Sequence, residues 1–560
     1  MKNVLRLIRV FNRDISYEPP KDKIRRRQLK FLAAFAVIFI MIPVAVGSGL
    51  FTYLMTRSLI RVGHGDFGLL LMYHLISIFT MVFGMNVVMN ELYFSADIDR
   101  LLPLPLKGRE IAMAKFAAAY RNENVIQFIL ILSCTIGYGI AAEMPLWRWP
   151  VALLFGLSLS LIPMLICGII GILLMSFTRV LKSKDAVRRI SVFFLLVVFA
   201  LAAVALATLK KTDVDGWLVS AAQQDILFVR IMNYVFSENS FLLMVMHDGN
   251  PLGILFFLLV NAAFLLVFLL AADRFYLASV SRLGEGEHRT KGHKAAAEAV
   301  LKKRTPLRAC MTKEWKILRR TPVFFTNCIL VTGIWVVFVL IAGSMTGVDM
   351  SPDGLHTLYD GGSSGFALGV MLFSAAITML MGSMNCLGSN AFSREGRHFE
   401  AIHSFPIPLS VQWNAKGYLG TIVTAAGTAP FFLFFGIYAG LPLHHILLQV
   451  LLSLAASFGV TYMGMFLDSI NPKLAWEDAL TALRENYNTF FCMAIALGIA
   501  AGIAGIGVLL YAVLSVSVAA IGLILLAAIL CFDFLIYRKC MGRGLENIRR
   551  GPVDSAETNE

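Results

Sequence analysis

Twelve separate apolar runs, each long enough to cross a lipid bilayer, constrain this 560-residue chain more than any other feature. A hydrocarbon core of about 30 Å takes about 20 apolar residues in a helix, and with no water to satisfy the backbone such a run has to be helical. The runs lie at 31–56, 67–92, 122–143, 151–175, 190–209 and 252–273, then at 323–345, 366–388, 418–441, 446–467, 489–512 and 516–537. The expected fold is an all-α polytopic membrane protein with about 12 transmembrane helices as two pseudo-symmetric six-helix halves. The third run is the weakest, because Arg121, Asn122, Glu123 and Asn124 sit at its start. Charged residues make up 15% of the chain, against about 25% in soluble proteins, which excludes a water-soluble globular enzyme.

Net charge is +14, and its placement decides what it means. With the N-terminus in the cytosol, only Arg57, Arg61, Arg148, Lys210, Lys211 and Arg230 of the 49 basic residues fall in outward segments. Basic residues concentrate on the cytosolic side of membrane proteins, so both termini are expected there, in a plasma membrane, and nucleic acid is not needed to explain the charge. Trp147 and Trp149 mark the outer edge of the fourth run as an interfacial belt would. The expected organisation is a cytosolic segment 1–30, a first six-helix domain 31–273, a basic linker and elbow 274–322, a second six-helix domain 323–537 and a cytosolic tail 538–560. Arg25, Arg26, Arg27 and Lys30 precede the first run, which is too long for a signal peptide and has no small-residue cleavage pattern. The eight cysteines stand singly with no C-x-x-C pair, and read as small apolar residues.

Each half carries the same kind of loop between its second and third runs. In the first, Phe94-Ser95-Ala96-Asp97 leads through Arg100 to Leu102-Pro103-Leu104-Pro105 and on to Ala114-Lys115. In the second, Phe392-Ser393-Arg394-Glu395 leads through Arg397 to Phe405-Pro406-Ile407-Pro408 and on to Ala415-Lys416. Four blocks recurring in order at equivalent places read as an internal repeat. Alternate prolines end a preceding helix and fix a turn, so each loop is expected to hold a short amphipathic helix on the cytosolic membrane surface. Such a helix either anchors the spans or docks a partner; its double occurrence favours docking.

At these residues the chain resembles the permease subunits of ABC-2 type exporters, in the duplicated Gram-positive form with two transmembrane domains in one polypeptide. Ser95 to Lys115 looks like that group's first cytosolic loop, and Ser393-Arg394-Glu395-Gly396 with Phe405 to Pro408 like its counterpart. Asn471-Pro472-Lys473-Leu474-Ala475-Trp476-Glu477 and Arg484 to Asn488 resemble another loop, and Lys313 to Arg320 the elbow helix that opens a half. The first half offers only Arg179 to Arg189 against the Pro-Lys-Leu-x-Trp loop. The resemblance implies ATP-driven export, with ATP and Mg bound to two copies of a separate nucleotide-binding subunit and no cofactor, metal or catalytic residue in this chain. It assigns coupling to Asp97, Arg100, Pro103, Pro105, Lys107, Arg109, Arg394, Glu395, Arg397, Pro406 and Pro408. No G-x-x-x-x-G-K-[ST] phosphate cradle occurs in the sequence.

Two rivals remain open: a gradient-coupled antiporter, and a membrane scaffold or sensor that moves nothing. An antiporter needs ionisable groups within its spans, where a charge costs at least about 2.5 kcal/mol. Glu91, Asp273, Asp468 and Asp533 lie near inner ends within reach of water; His74 is the best candidate for a buried titrating group, with a neutral histidine bonded to a neighbouring helix as the default reading. ATP coupling is therefore expected. An uncharged interior suits a lipid, a peptide or an apolar drug as cargo. His398 and His403 are five apart and share no helical face, which excludes an H-E-x-x-H metal site. His444-His445 reads as an outward turn, and Gly498, Ala501, Gly502 and Gly505 as a close-packing stripe. Pro43, Pro163 and Pro430 are expected to bend their spans. The outward segment 210–251, with Trp217, Phe228, Tyr234, Phe236 and Phe241, is expected to lie in the membrane interface.

Overall fold

Apolar composition with few internal breakers dictates helices, and a computed structural model bears this out: among the described residues every regular element is helical and none is a strand. The structure describes residues 6–7, 23–61, 63–95, 97–177, 227–280, 305–333, 335–336, 352–360, 364–474, 476, 479–484 and 486–554. Nine helical stretches among these are long and apolar enough to cross a membrane. The chain is a multi-pass, all-α membrane protein. The fifth expected run, 190–209, and the Arg179–Arg189 segment lie outside the described residues, as do residues 281–304 of the linker and residues 337–345 of the seventh run.

The chain divides into two compact units, residues 1–15 with 41–300 and residues 16–40 with 301–560. The first contains most of α1 (Lys23–Ile60), then α2 (Phe67–Met89) continued by a π-turn Asn90–Phe94, α3 (Ile98–Leu101) and α4 (Gly108–Ala141). There follow α5 (Arg148–Gly156), α6 (Leu161–Phe177), α7 (Leu227–Val235), α8 (Ser237–Met246) and α9 (Leu252–Ala271) with a π-turn Ala272–Tyr276. α2 packs on α4 and α6, and α9 on α6 and α8. The second unit has the elbow α10 (Pro306–Arg320), α11 (Pro352–Asp360), α12 (Ser364–Met384), α13 (Ala401–Ser404), α14 (Leu409–Tyr438) and α15 (Leu443–Ile470). It ends with α16 (Ala479–Arg484), α17 (Tyr487–Ala512), α18 (Val518–Lys539), a π-turn Cys540–Gly544 and α19 (Leu545–Asp554). Here α12 packs on α15 and α17, and α15 on α14 and α18. Lipid as solvent turns the usual pattern outward: Leu255, Leu258, Leu259 and Leu266 are exposed on α9 while Asn261 is buried, and Leu523, Phe534 and Leu535 are exposed on α18 while Asp533 is buried.

Three expectations change on inspection. The fourth run is two helices, broken at residues 157–160 just ahead of Pro163, which sits in the first turn of α6 where its missing N–H costs nothing. The freed Leu157 carbonyl accepts from Tyr120 Oη at 2.7 Å and Asn124 Nδ2 at 3.1 Å. Asn124, one of the polar residues that weakened the third run, thus helps to plug the break in the fourth, and α4 runs unbroken through that polar stretch, leaving Gln127–Ala141 as a shorter apolar helix. In the segment before α9, whose residues 210–226 lie outside those described, the polar Glu238 and Asn239 of α8 are buried with Leu242 against neighbouring helices, where a surface helix would turn its polar side chains outward. Asp468 and Asp533 are buried rather than wetted.

Candidate functional site

The two proline loops begin from the same chemistry. In the first unit, Lys115 on α4 is buried and extends its Nζ to the Asp97 carboxylate and, at 2.7 Å, to Ser95 Oγ. Ser95 Oγ in turn donates to the Glu91 carbonyl at 3.0 Å. In the second unit, Lys416 on α14 is buried and places its Nζ 2.6 Å from Glu395 Oε1. The acid and the lysine of the repeated blocks are therefore each other's partners, 18 residues apart in one loop and 21 in the other. Beyond each pair stands an exposed proline tip. Leu106 N–H donates to the Leu104 carbonyl across Pro105 at 2.7 Å, and Ile407 N–H to the Phe405 carbonyl across Pro406 at 2.8 Å. Both are three-residue turns that a proline at the centre favours. α4 and α14 each start three residues after this proline, so the loops correspond with Pro105 matched to Pro406, one proline later than the sequence blocks suggest.

No amphipathic helix of useful length forms in either loop. α3 and α13 are single turns of four residues. Pro103 ends the first, and a left-handed Gly396 at φ +54° interrupts the helical path of the second. A side chain there would also strike the Trp476 ring, since a Cβ on Gly396 would lie 2.6 Å from Trp476 Cζ2.

Among the described residues, the second loop gathers a wider set of partners. Lys416 Nζ also meets Glu314 Oε1 of the elbow α10 at 2.7 Å, and Lys313 Nζ meets Glu395 Oε1 at 3.0 Å. Burial alone would raise the Glu395 carboxyl, but Lys416 and Lys313 outweigh it and hold the group at about 2. Behind the loop, buried Asp468 at the end of α15 accepts from the N–H groups of Phe392 and Ser393 at 2.7 and 2.9 Å. It accepts as well from Ser393 Oγ at 2.5 Å and from Asn488 Nδ2 at 3.0 Å. Ser393 Oγ accepts in turn from Lys473 N at 2.9 Å and Asn486 Nδ2 at 3.0 Å, which fills the capacity of one hydroxyl. Trp476 Nε1 donates to the Ser393 carbonyl at 2.8 Å. The Asn471–Trp476 and Asn486–Asn488 segments singled out in the sequence thus converge on the second loop. A buried carboxylate with four donors is stable where a bare one would not be.

The expected coupling residues separate into two groups. Arg394 and Glu395 are turned inward: the Arg394 guanidinium donates to the Cys386 and Leu387 carbonyls at 3.4 and 3.3 Å, just past the end of α12, and the Glu395 side chain is 7% exposed. Asp97 is partly covered by its lysine. Pro103, Pro105, Lys107, Arg109, Arg397, Pro406 and Pro408 are exposed, together with Leu102, Leu104 and Phe405. Arg109 is 3.9 Å from Asp273, both about half exposed, a pair of little energetic weight. The Arg100 side chain lies outside those described. Sequence reasoning placed Lys115 and Lys416 in the repeat without giving them a role, and it missed Glu314 as a second partner of Lys416; an acidic residue on the elbow preceding an apolar span was the available signal. In α2, His74 Nε2 lies 2.7 Å from Asn233 Oδ1 and its Nδ1 3.0 Å from Asn239 Nδ2, so the ring accepts at Nδ1, donates at Nε2 and is neutral. No protein-family model matches the chain, and no curated protein or solved structure matches it.

Proposed function

We propose that the chain is the membrane-spanning permease subunit of an ATP-driven exporter of the ABC-2 type, two pseudo-symmetric halves of six spans each, in the plasma membrane with both termini cytosolic. Two copies of a nucleotide-binding ATPase dock on the proline loops and supply the energy from ATP and Mg. The cargo is hydrophobic or amphipathic: a lipid, a peptide or an apolar drug. The observation that carries this reading is the recurrence, in both units, of one device: a lysine on the following helix pinned to the acid of the loop, beneath an exposed apolar-proline tip. The matching π-turns after α9 and α18 support the same duplication. In this mechanism closure of the ATPase pair pushes on the two tips, the proline turns resist bending, and the buried pairs pass the displacement to α4 and α14.

Exposed and buried residues then have different roles. Lys107, Arg109, Arg397 and the tips Leu102 to Pro105 and Phe405 to Pro408 make contact, while Asp97, Arg394 and Glu395 hold the loops in shape. Replacing Lys107, Arg109 and Arg397 with glutamate abolishes co-purification with the ATPase while membrane insertion is unchanged. Undiminished co-purification of the triple variant, or full transport by the purified chain alone, overturns the reading.

One observation favours the gradient-coupled alternative. Glu238 of α8 is fully buried, neither carboxyl oxygen has a hydrogen-bond partner, and burial pushes the group up to about 8. Collapse of transport by a protonophore with ATP intact would select the antiporter.

A further inference from the structure

The second unit buries two aspartates, Asp468 on α15 and Asp533 on α18, and houses them differently. Asp468 accepts from four donors, two of them backbone N–H groups, and so is built to carry a charge. Asp533 has no such provision. It is 6% exposed, and its Oδ1 is buried with no hydrogen-bond partner. The same stretch of α18 exposes Leu530, Phe534 and Leu535 on the side that lipid covers. Toward the bundle, Oδ1 lies against the backbone of α15: a Cβ on Gly459 would collide with it, so the two helices approach here because residue 459 has no side chain. The ionisable groups on the elements packed around α18 are engaged elsewhere or distant along the helices. Tyr462 of α15 donates to Asn414 Oδ1 at 3.0 Å, Tyr537 meets Asn414 Nδ2 at 3.5 Å, and Cys540 Sγ donates to the Tyr462 carbonyl at 3.3 Å. α12 carries no titratable residue; α17 carries Cys492 and, at its ends, Tyr487 and Tyr511; His444 and His445 stand at the start of α15. The cations that follow Asp533, Arg538, Lys539 and Arg543, are exposed.

We propose that Asp533 is a proton-binding site, a carboxyl that holds its proton where α18 crosses α15 at Gly459. A carboxylate taken out of water with no donor to face it is far costlier than the neutral acid, and the span offers Asp533 Oδ1 none. The proton is the one ligand the place admits, since the close approach of the Gly459 backbone leaves no room for a larger cation beside Oδ1. Release of the proton sets a bare charge against the α15 backbone, so proton occupancy and the closeness of the two helices are linked. The site is independent of the ATPase reading: it needs only that α18 spans the membrane, and it stands whichever energy source drives the protein.

The test follows unfolding of the purified full chain in mixed micelles by added sodium dodecyl sulfate, for the parent, for Asp533→Asn, which copies the neutral acid, and for Asp533→Leu, which removes the group. A proton held in the folded state and lost from the unfolded one stabilises at low pH, and that stabilisation is forfeited as the pH rises above the ordinary carboxylate range of about 4. The unfolding constant of the parent relative to either variant therefore rises about tenfold from about pH 5 to about pH 6. Other groups titrate alike in all three proteins and cancel from the ratio. At about pH 6 the infrared difference between the parent and Asp533→Asn shows the carbonyl stretch of a protonated carboxyl. A ratio that stays level with pH, absence of that infrared band, or failure of both variants to fold at any pH overturns the proposal.

Discussion

The two proline loops share their blocks but not their construction. In the first, among the described residues, Lys115 meets a partly exposed aspartate and a serine. In the second, the equivalent lysine sits between two glutamates, with Glu314 recruited from the elbow, and the loop is further fastened by Asp468, Asn486, Lys473 and Trp476. The difference is one of burial. A charge that keeps some water needs one partner, whereas a charge removed from water needs every donor and acceptor supplied by the protein. Two loops that share sequence blocks can therefore be held by different numbers of partners.

The strongest way to break the comparison is to remove the lysines. Lys416→Met leaves the buried Glu314 and Glu395 with only the part-exposed Lys313 between them and destabilises the second unit by about 3 kcal/mol, while Lys115→Met leaves Asp97 near water and costs about 1 kcal/mol. Thermal unfolding of the two variants in the same detergent measures the gap, and equal losses would erase the distinction. Next in size is Asp468→Asn, which exchanges one acceptor oxygen for a donor facing other donors. It destabilises by about 1–3 kcal/mol, and faster hydrogen exchange at residues 390–396, with residues 95–101 unaffected, locates the damage.

Gly396→Ala combines a left-handed backbone with a collision against Trp476 and costs about 1–3 kcal/mol. Its signature is a change in tryptophan fluorescence at lower denaturant than in the parent. Acid provides a further test. Glu395 stands at about 2 against an ordinary 4.5. Because the folded value is the lower one, its pairing contributes in full above about pH 4.5 and is lost as the pH falls from there toward 2. Unfolding midpoints followed through that window should drop further in the parent than in Glu395→Gln; parallel curves would mean that the pairing contributes nothing.

Much of this architecture was legible in the sequence, and the exceptions have identifiable causes. Continuous apolar runs mark α2, α9, α12, α15, α17 and α18 because lipid leaves the backbone no alternative to a helix. The break between α5 and α6 was not legible, since the residues that satisfy it, Tyr120 and Asn124, sit on a different helix. The amphipathic surface helices failed for a local reason: Pro103 and Gly396 leave room for only a turn. The acid–lysine pairs were present as blocks of a repeat, but nothing in their spacing said that the two blocks touch. The small-residue stripe at Gly498, Gly502 and Gly505 has nothing within 4 Å of an added Cβ among the described residues, so close helix packing was not found where the spacing suggested it.

Sequence alone determined the solvent: where about 20 apolar residues recur many times, a helix across lipid is the one conformation that satisfies every backbone group. It determined as well that two loops would carry the same blocks. Only the tertiary structure decided which charges face outward and which are locked within, because the fate of a charge depends on partners contributed by distant segments. Glu314, Glu395 and Lys416 come from three different elements and acquire their roles only on meeting.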